Sequence, residues 1–313
     1  MKRKIGNIMQ LSILAALGLS VILSIFITEI SWPDDNGNRL EISVIFREWN
    51  NSSWGEIRLG MEKAASGYEA ELRFLTPQQA NSADQQQKLI EQEIKNGADG
   101  LVIIPAGEEI QQYLTENKPG IPFIIMESEN DQTNKNTSSC TPDNAKIGAL
   151  LAQAAAADYQ PGSLALLVDS YPDNSGIQKR LQSARDELEK AGLSAVTPKT
   201  DAEWEKQLPE ADCIIVPDGS TTSRILAMLE EDELDIPLYT AGYCQEIITG
   251  LEKGIIEGAV IWNGYGEGYL AIQNIADKLL KQKTDPAELA VILVRKEDMY
   301  EPESQKILFP IGN

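Results

Sequence analysis

Twice along this 313-residue chain the same series of short apolar runs and helical stretches is laid down in the same order. In the first half, residues 42–46, 70–75, 101–104 and 122–126 read as strands, with helical patterns over about 54–66 and 84–95. In the second, strands over 164–168, 213–216 and 237–240 accompany a helical pattern over 177–190. Strand-length runs separated by helices of about 10–15 residues predict βαβ units with parallel pairing. Apolarity that is nearly continuous, rather than alternating, means that both faces of these strands are covered. The local signatures recur as well: GADGLVIIPAG at 97–107 returns as EADCIIVPDG at 210–219, Ile121-Pro122 as Ile236-Pro237, and Asn51-Ser52 as Asn174-Ser175. Three echoes in one order predict two lobes of like construction. Open parallel sheets bind ligands beyond the carboxyl ends of their strands, where helix N-termini converge. Two such lobes side by side enclose a cleft, and a solute that touches both shifts an open–closed equilibrium.

The N-terminus sets the compartment. Lys2, Arg3 and Lys4 precede an uncharged run over 5–28, and Glu29, Asp34 and Asp35 follow it. A run of this length spans a bilayer as a helix, for which about 20 residues are needed. The basic flank keeps the N-terminus cytoplasmic and places the rest of the chain outside. The exit of the run, SIFITEISWPDD, has no small-x-small cleavage pattern and no nearby cysteine, so an uncleaved single-pass anchor over 1–30 is expected rather than a removed signal peptide or a lipid anchor. Residues 31–40 then form a turn-rich tether. Its polar part, about nine residues, reaches at most roughly 30 Å, which favours a partner close by in the same membrane.

Composition removes several functions. A net charge of −21 argues against nucleic acid as a partner. The chain has no histidine, so the commonest metal ligand and general base is missing. Cys140, Cys213 and Cys244 are widely spaced and form no CxxC pair, so neither a zinc site nor a disulfide framework is indicated; one bridge stays open, and Cys213, at the head of an apolar run, reads as a small buried hydrophobe. No GxSxG elbow, P-loop or strand-linked GxGxxG is present, and no carboxylates are paired at telling positions. No catalytic residue, metal or cofactor is expected.

The strings ISVIFREWNNSSW, NGADGLVIIPAG, IPFIIMES, CTPDNAKIGALLA, and IPLYTAGY followed by GLEKGIIEGAVIW, in this order and spacing, resemble the type I periplasmic binding proteins, the family of ribose-binding protein and the lac-repressor core. The likeness runs from about residue 41 to 281. It implies an α/β fold of two Rossmann-like lobes with parallel sheets, joined by a three-stranded hinge with crossings near 127–143, 262–264 and 284–289. Lobe 1 would then hold 41–142 plus 263–288, and lobe 2 would hold 143–262 plus 289–313.

The resemblance also places a ligand. In the loop after the first strand, Arg47 and Glu48 precede Asn51 and Trp54, which fit the family's asparagine and stacking aromatic. Ser53 stands where a second aromatic is usual, and Trp54 has two uses open to it, stacking on a ligand or anchoring its helix. Glu127-Ser128 replaces the family's Asp–Arg pair, so the carboxylate is kept and the arginine missing. In the second lobe Arg180 matches the family's helical arginine, Asp218 falls where an asparagine is common, and Trp262 or Asn263 falls at a glutamine position. Cys244 stands where the family's sugar-binding aspartate sits, and a thiol does not replace a carboxylate acceptor. The resemblance therefore implies a small polar solute, with a sugar the leading candidate and an amine-bearing ligand open. The implied partner is a membrane permease of the ABC type or a membrane sensor kinase. A protein-docking role with a degenerate pocket is the alternative.

Overall fold

The computed structural model describes residues 39–48, 51–117, 119–128, 137–283 and 289–308. The predicted anchor and most of the tether lie outside these residues, as do parts of the first and last predicted crossings. Among the described residues no helix is long and apolar enough to cross a membrane.

The first half builds β1 (Glu41–Ile45), α1 (Asn51–Gly67), β2 (Glu71–Leu75), α2 (Ala83–Asn96), β3 (Gly100–Ile103), α3 (Glu108–Asn117), β4 (Phe123–Met126) and β5 (Thr137–Cys140). These strands form one parallel sheet in the order β2-β1-β3-β4-β5. The second half builds α4 (Asn144–Asp158), β6 (Leu164–Leu167), α5 (Ser175–Lys190), β7 (Ser194–Val196), α6 (Asp201–Gln207), β8 (Cys213–Val216), α7 (Gly219–Glu231), β9 (Leu238–Ala241), α8 (Gln245–Lys253) and β10 (Ile256–Trp262). After α9 (Gly264–Leu279) come β11 (Val291–Val294) and α10 (Pro302–Leu308). The second sheet runs β11-β10-β9-β8-β6-β7 and is parallel except for the antiparallel edge pair β10–β11. The chain is thus an α/β fold with its parallel strands divided between two lobes.

Every residue of β3, β4, β8 and β9 is buried, as strands covered by helices on both faces must be. Each fully buried Ile, Leu or Val there contributes about 1.5–3 kcal/mol. The predicted strands fall within a residue or two of their observed bounds. The polar β5 (TSSC) and the three-residue β7 carry too few apolar side chains to be read from pattern.

The repeat extends to helix packing. In the first lobe α1 crosses α9 at two glycines: a Cβ on Gly60 would lie 1.9 Å from the Tyr265 carbonyl oxygen, and one on Gly268 1.9 Å from that of Ile57. In the second lobe α4 crosses α5 at Gly148, whose Cβ would lie 2.0 Å from the Arg180 carbonyl oxygen. Helix backbones in near contact admit only glycine at the crossing. In each lobe this pairing seats the helix that follows the first strand, and with it the residues at the cleft.

Candidate ligand-binding cleft

The carboxyl ends of β1, β4, β8, β9 and β10 converge on one small cavity. Arg47, Trp54, Glu56 and Glu127 line it from the first lobe, and Arg180, Asp218, Tyr243 and Trp262 from the second-sheet side. The turn into α7 sets one wall. Asp218 caps that helix, its Oδ1 accepting from the Thr221 N–H at 2.8 Å. Gly242, at φ +105°, brings the end of β9 so close that a Cβ there would lie 3.0 Å from the Gly219 nitrogen.

Arg47 dominates the first-lobe wall and is only 2% exposed. Its Nη1 donates to Glu127 Oε2 at 2.8 Å, and its Nε lies 3.9 Å from Glu48 Oε1. Its guanidinium carbon is 5.3 Å from the centre of the Trp54 ring and 4.7 Å from that of Tyr171. Burial alone would lower its pKa, but Glu127, Tyr171 and Asp218 more than reverse this, and the net shift is upward. Glu127 takes φ +53°, a left-handed conformation that costs a non-glycine residue about 1–3 kcal/mol. Its carbonyl packs on Gly176 of the other lobe, where a Cβ would lie 2.6 Å from that oxygen.

Arg180, 1% exposed, is held differently. Its Nε donates to Asn144 Oδ1 at 2.7 Å and its Nη1 to the Pro217 carbonyl at 2.9 Å, while its guanidinium carbon sits 4.9 Å from the Trp262 ring centre. Among the described residues no carboxylate lies within 4.0 Å of it. Burial lowers its pKa, with Glu127, Asp218 and Glu267 pulling the other way. Trp262 Nε1 donates to Glu267 Oε2 at 2.7 Å. Glu267 is fully buried, and burial, aided by Glu127, pushes its pKa up to about 8. Burial likewise raises Asp218.

Six predicted residues, Arg47, Trp54, Glu127, Arg180, Asp218 and Trp262, line this one cavity. Trp54 anchors its helix, buried in the first-lobe core and edge-on to Phe46 at 5.2 Å, and its ring centre lies 5.3 Å from the Arg47 guanidinium carbon. Glu48 stands beside the cavity, accepting from the Tyr171 hydroxyl at 2.8 Å. The side chain of Asn51 lies outside the described residues. Two placements differ from expectation. Asn263 is exposed and caps α9, its Oδ1 accepting from the Gly266 N–H at 2.8 Å, because a helix start there needs an N-cap. Cys244 does not line the cavity: its thiol is buried in the second-lobe core, 3.8 Å from both Ser223 Oγ and the Gly219 carbonyl, and its pKa is pushed up to about 12 by that burial. All three cysteines are free and buried.

The cation that pairs with Glu127 is Arg47, from the end of β1. Sequence reasoning did not single out Tyr171, Tyr243, Glu56 or Glu267. Tyr171 was within reach, since it occupies in the second half the place that the Arg47 loop holds in the first.

Two lobes with a cleft at the carboxyl ends of their strands, lined by buried polar groups from both, make up the architecture of a solute-binding protein. The chain belongs to the periplasmic binding protein domain family, whose sequence profile matches residues 42–283. A search of curated proteins by sequence finds no match. Among solved structures it is similar to a carbohydrate transporter solute-binding protein from Agrobacterium radiobacter in complex with D-arabinose, at TM-score 0.78 and 18% identity, covering 87% of this chain and 100% of that one. It is also similar to an ABC transporter solute-binding protein from Agrobacterium vitis with bound D-fucose, at TM-score 0.76 and 17% identity, covering 86% and 100%. A third similar chain, from the XylFII–LytSN complex, has TM-score 0.70 and 16% identity, covering 83% and 99%.

Proposed function

We propose that this chain is an extracytoplasmic solute-binding protein that closes its cleft on a small hydroxylated molecule of the sugar class. One observation carries the reading. Five buried polar atoms of cavity-lining residues have no hydrogen-bond partner among the described residues: Arg47 Nε, Trp54 Nε1 and Glu56 Oε2 from the first lobe, and Arg180 Nη2 and Asp218 Oδ2 from the second. Buried polar groups are nearly always satisfied, and hydroxyls, which both donate and accept, suit such a mixed set. The bound sugars of the two Agrobacterium proteins support the same ligand class. No catalytic step is assigned to these residues.

Lobe 1 is taken as 41–142 plus 263–288 and lobe 2 as 143–262 plus 289–313, moving about a three-stranded hinge. Residues 1–30 are taken as a single-pass anchor that leaves the binding domain outside the cell membrane, beside a permease or a sensor kinase. The similarity to a chain of the XylFII–LytSN complex favours a second reading, a co-sensor that docks a membrane protein.

A thermal-shift screen of the full chain in detergent against aldoses, polyols and diamines tests the ligand class. A ligand at a hundred times its Kd stabilises by about 2.7 kcal/mol, a rise of roughly 5–10 °C in a domain of this size. A sugar response lost in Arg180→Ala and Asp218→Ala supports the proposal. A well-folded chain that answers to none of the panel refutes it and leaves the docking reading.

A further inference from the structure

The cleft already has an occupant. Arg47 belongs to the first lobe, yet its guanidinium carbon lies 4.7 Å from the ring centre of Tyr171 in the second, as well as 5.3 Å from that of Trp54. Its two acidic neighbours are tied into the same bridge: Glu127 accepts from Arg47 at 2.8 Å, and Glu48 accepts from the Tyr171 hydroxyl at 2.8 Å. The free space left beside it is about 30 Å³, room for about two water molecules and too little for a sugar ring. A flat cation against two aromatic rings, with carboxylates at its edge, fills the place that a ring-shaped solute with hydroxyls at its edge would take.

The contact is not one lobe's internal packing. Remove the second lobe and Arg47 loses Tyr171, Glu48 loses its hydroxyl donor, and a cation now 2% exposed faces water. Gln111 adds a lighter cross-lobe bond, its Nε2 donating to Ser175 Oγ at 3.2 Å. Cation–π contacts count for more when desolvated, so closure itself strengthens the bond that maintains it.

We propose that Arg47 is a built-in ligand: its guanidinium, held against Trp54 of one lobe and Tyr171 of the other, keeps the lobes closed, and a solute binds by displacing it. Arg47 is then the residue that sets specificity and affinity at the cleft. A closed resting state lowers apparent affinity by the fraction of molecules that are open, and the latch selects solutes able to replace both the stacking and the edge hydrogen bonds. The latch rests on the reading of the cleft as a solute site for its consequence, though not for its existence.

The two are separable in one experiment. Spin labels on Glu109→Cys and Gln182→Cys, both exposed and on opposite lobes, report the cleft width by pulsed electron resonance on the full chain in detergent, the native cysteines being buried. Without solute the parent protein should give one short distance. Arg47→Ala, and independently Tyr171→Ala, which leaves the first-lobe core untouched, should give a longer and broader distribution. D-arabinose, D-fucose and D-galactose are then titrated. Arg47→Ala should bind at least one of them about tenfold or more tightly than the parent. A parent that is open without sugar and closes on it overturns the latch and keeps the solute site. Variants as closed as the parent overturn the latch as well. The expected opening with no sugar bound by any variant supports the latch and overturns the solute reading.

Discussion

Replacing Glu267 by glutamine should stabilise this protein at neutral pH. The carboxyl is fully buried near the start of α9, accepts one bond from Trp262 at 2.7 Å, and among the described residues leaves Oε1 without a hydrogen-bond partner. The ionisable groups that act on it are Glu127 at the end of β4, Arg180 on α5, and Cys140 at the end of β5, whose thiol donates to the Glu267 carbonyl at 3.3 Å. Burial and Glu127 outweigh Trp262 and Arg180, and the pKa rises from 4.5 to about 8. Below pH 4.5 the acid is protonated whether the chain is folded or not, and it costs nothing. Between about 4.5 and 8 only the unfolded chain gives up its proton, so stability falls as pH rises, by at most about 1.4 kcal/mol per pH unit. At pH 7 the accumulated loss is about 3 kcal/mol by the same linkage. Glutamine keeps the acceptor for Trp262 and carries no proton to lose. Its amide donors, facing where Oε1 has no partner, return about 1 kcal/mol of that gain. Urea unfolding of Glu267→Gln and the parent, followed by tryptophan fluorescence from pH 5 to 9, measures the difference. The variant's advantage should grow from pH 5 to pH 8 and then level off. Two parallel curves across that range would refute the buried neutral acid and mean that Arg180 holds the group ionised.

Two further outcomes follow from the packing. Gly268→Ala drives a methyl into the Ile57 carbonyl at the α1–α9 crossing, so it should cost about 1–3 kcal/mol, visible as a melting point several degrees lower, whereas the exposed Gly120, with nothing within 4 Å of an added Cβ, should tolerate alanine. Cys244→Ala empties a buried site that is not part of the cavity lining. It should lower stability by about 1 kcal/mol and leave the response to any sugar found in the screen unchanged in isothermal titration. A lost response would return the thiol to the ligand.

The strands and the doubled order of elements were legible because burial on both faces demands unbroken apolar runs, and those runs survive in LVII, FIIM, LALL and CIIV whatever surrounds them. Asp218 and Asn174 each cap the helix they precede, since a helix that starts just past a strand needs a capping side chain at its mouth. What the chain alone did not disclose lies across the cleft. That Arg47 supplies the cation for Glu127, 80 residues away, depends on how β1 and β4 are spaced in the sheet. That Tyr171 covers it depends on one lobe's angle to the other. Cys244 shows the same limit from the other side: its position along the chain suggested the cleft, but a thiol is apolar enough to turn into the core. Local sequence determined which segments are strands and helices, because backbone propensity and the period of burial act over a few residues. Only the tertiary structure decided which side chains meet, because contacts between lobes depend on rigid-body geometry that no short stretch of chain encodes.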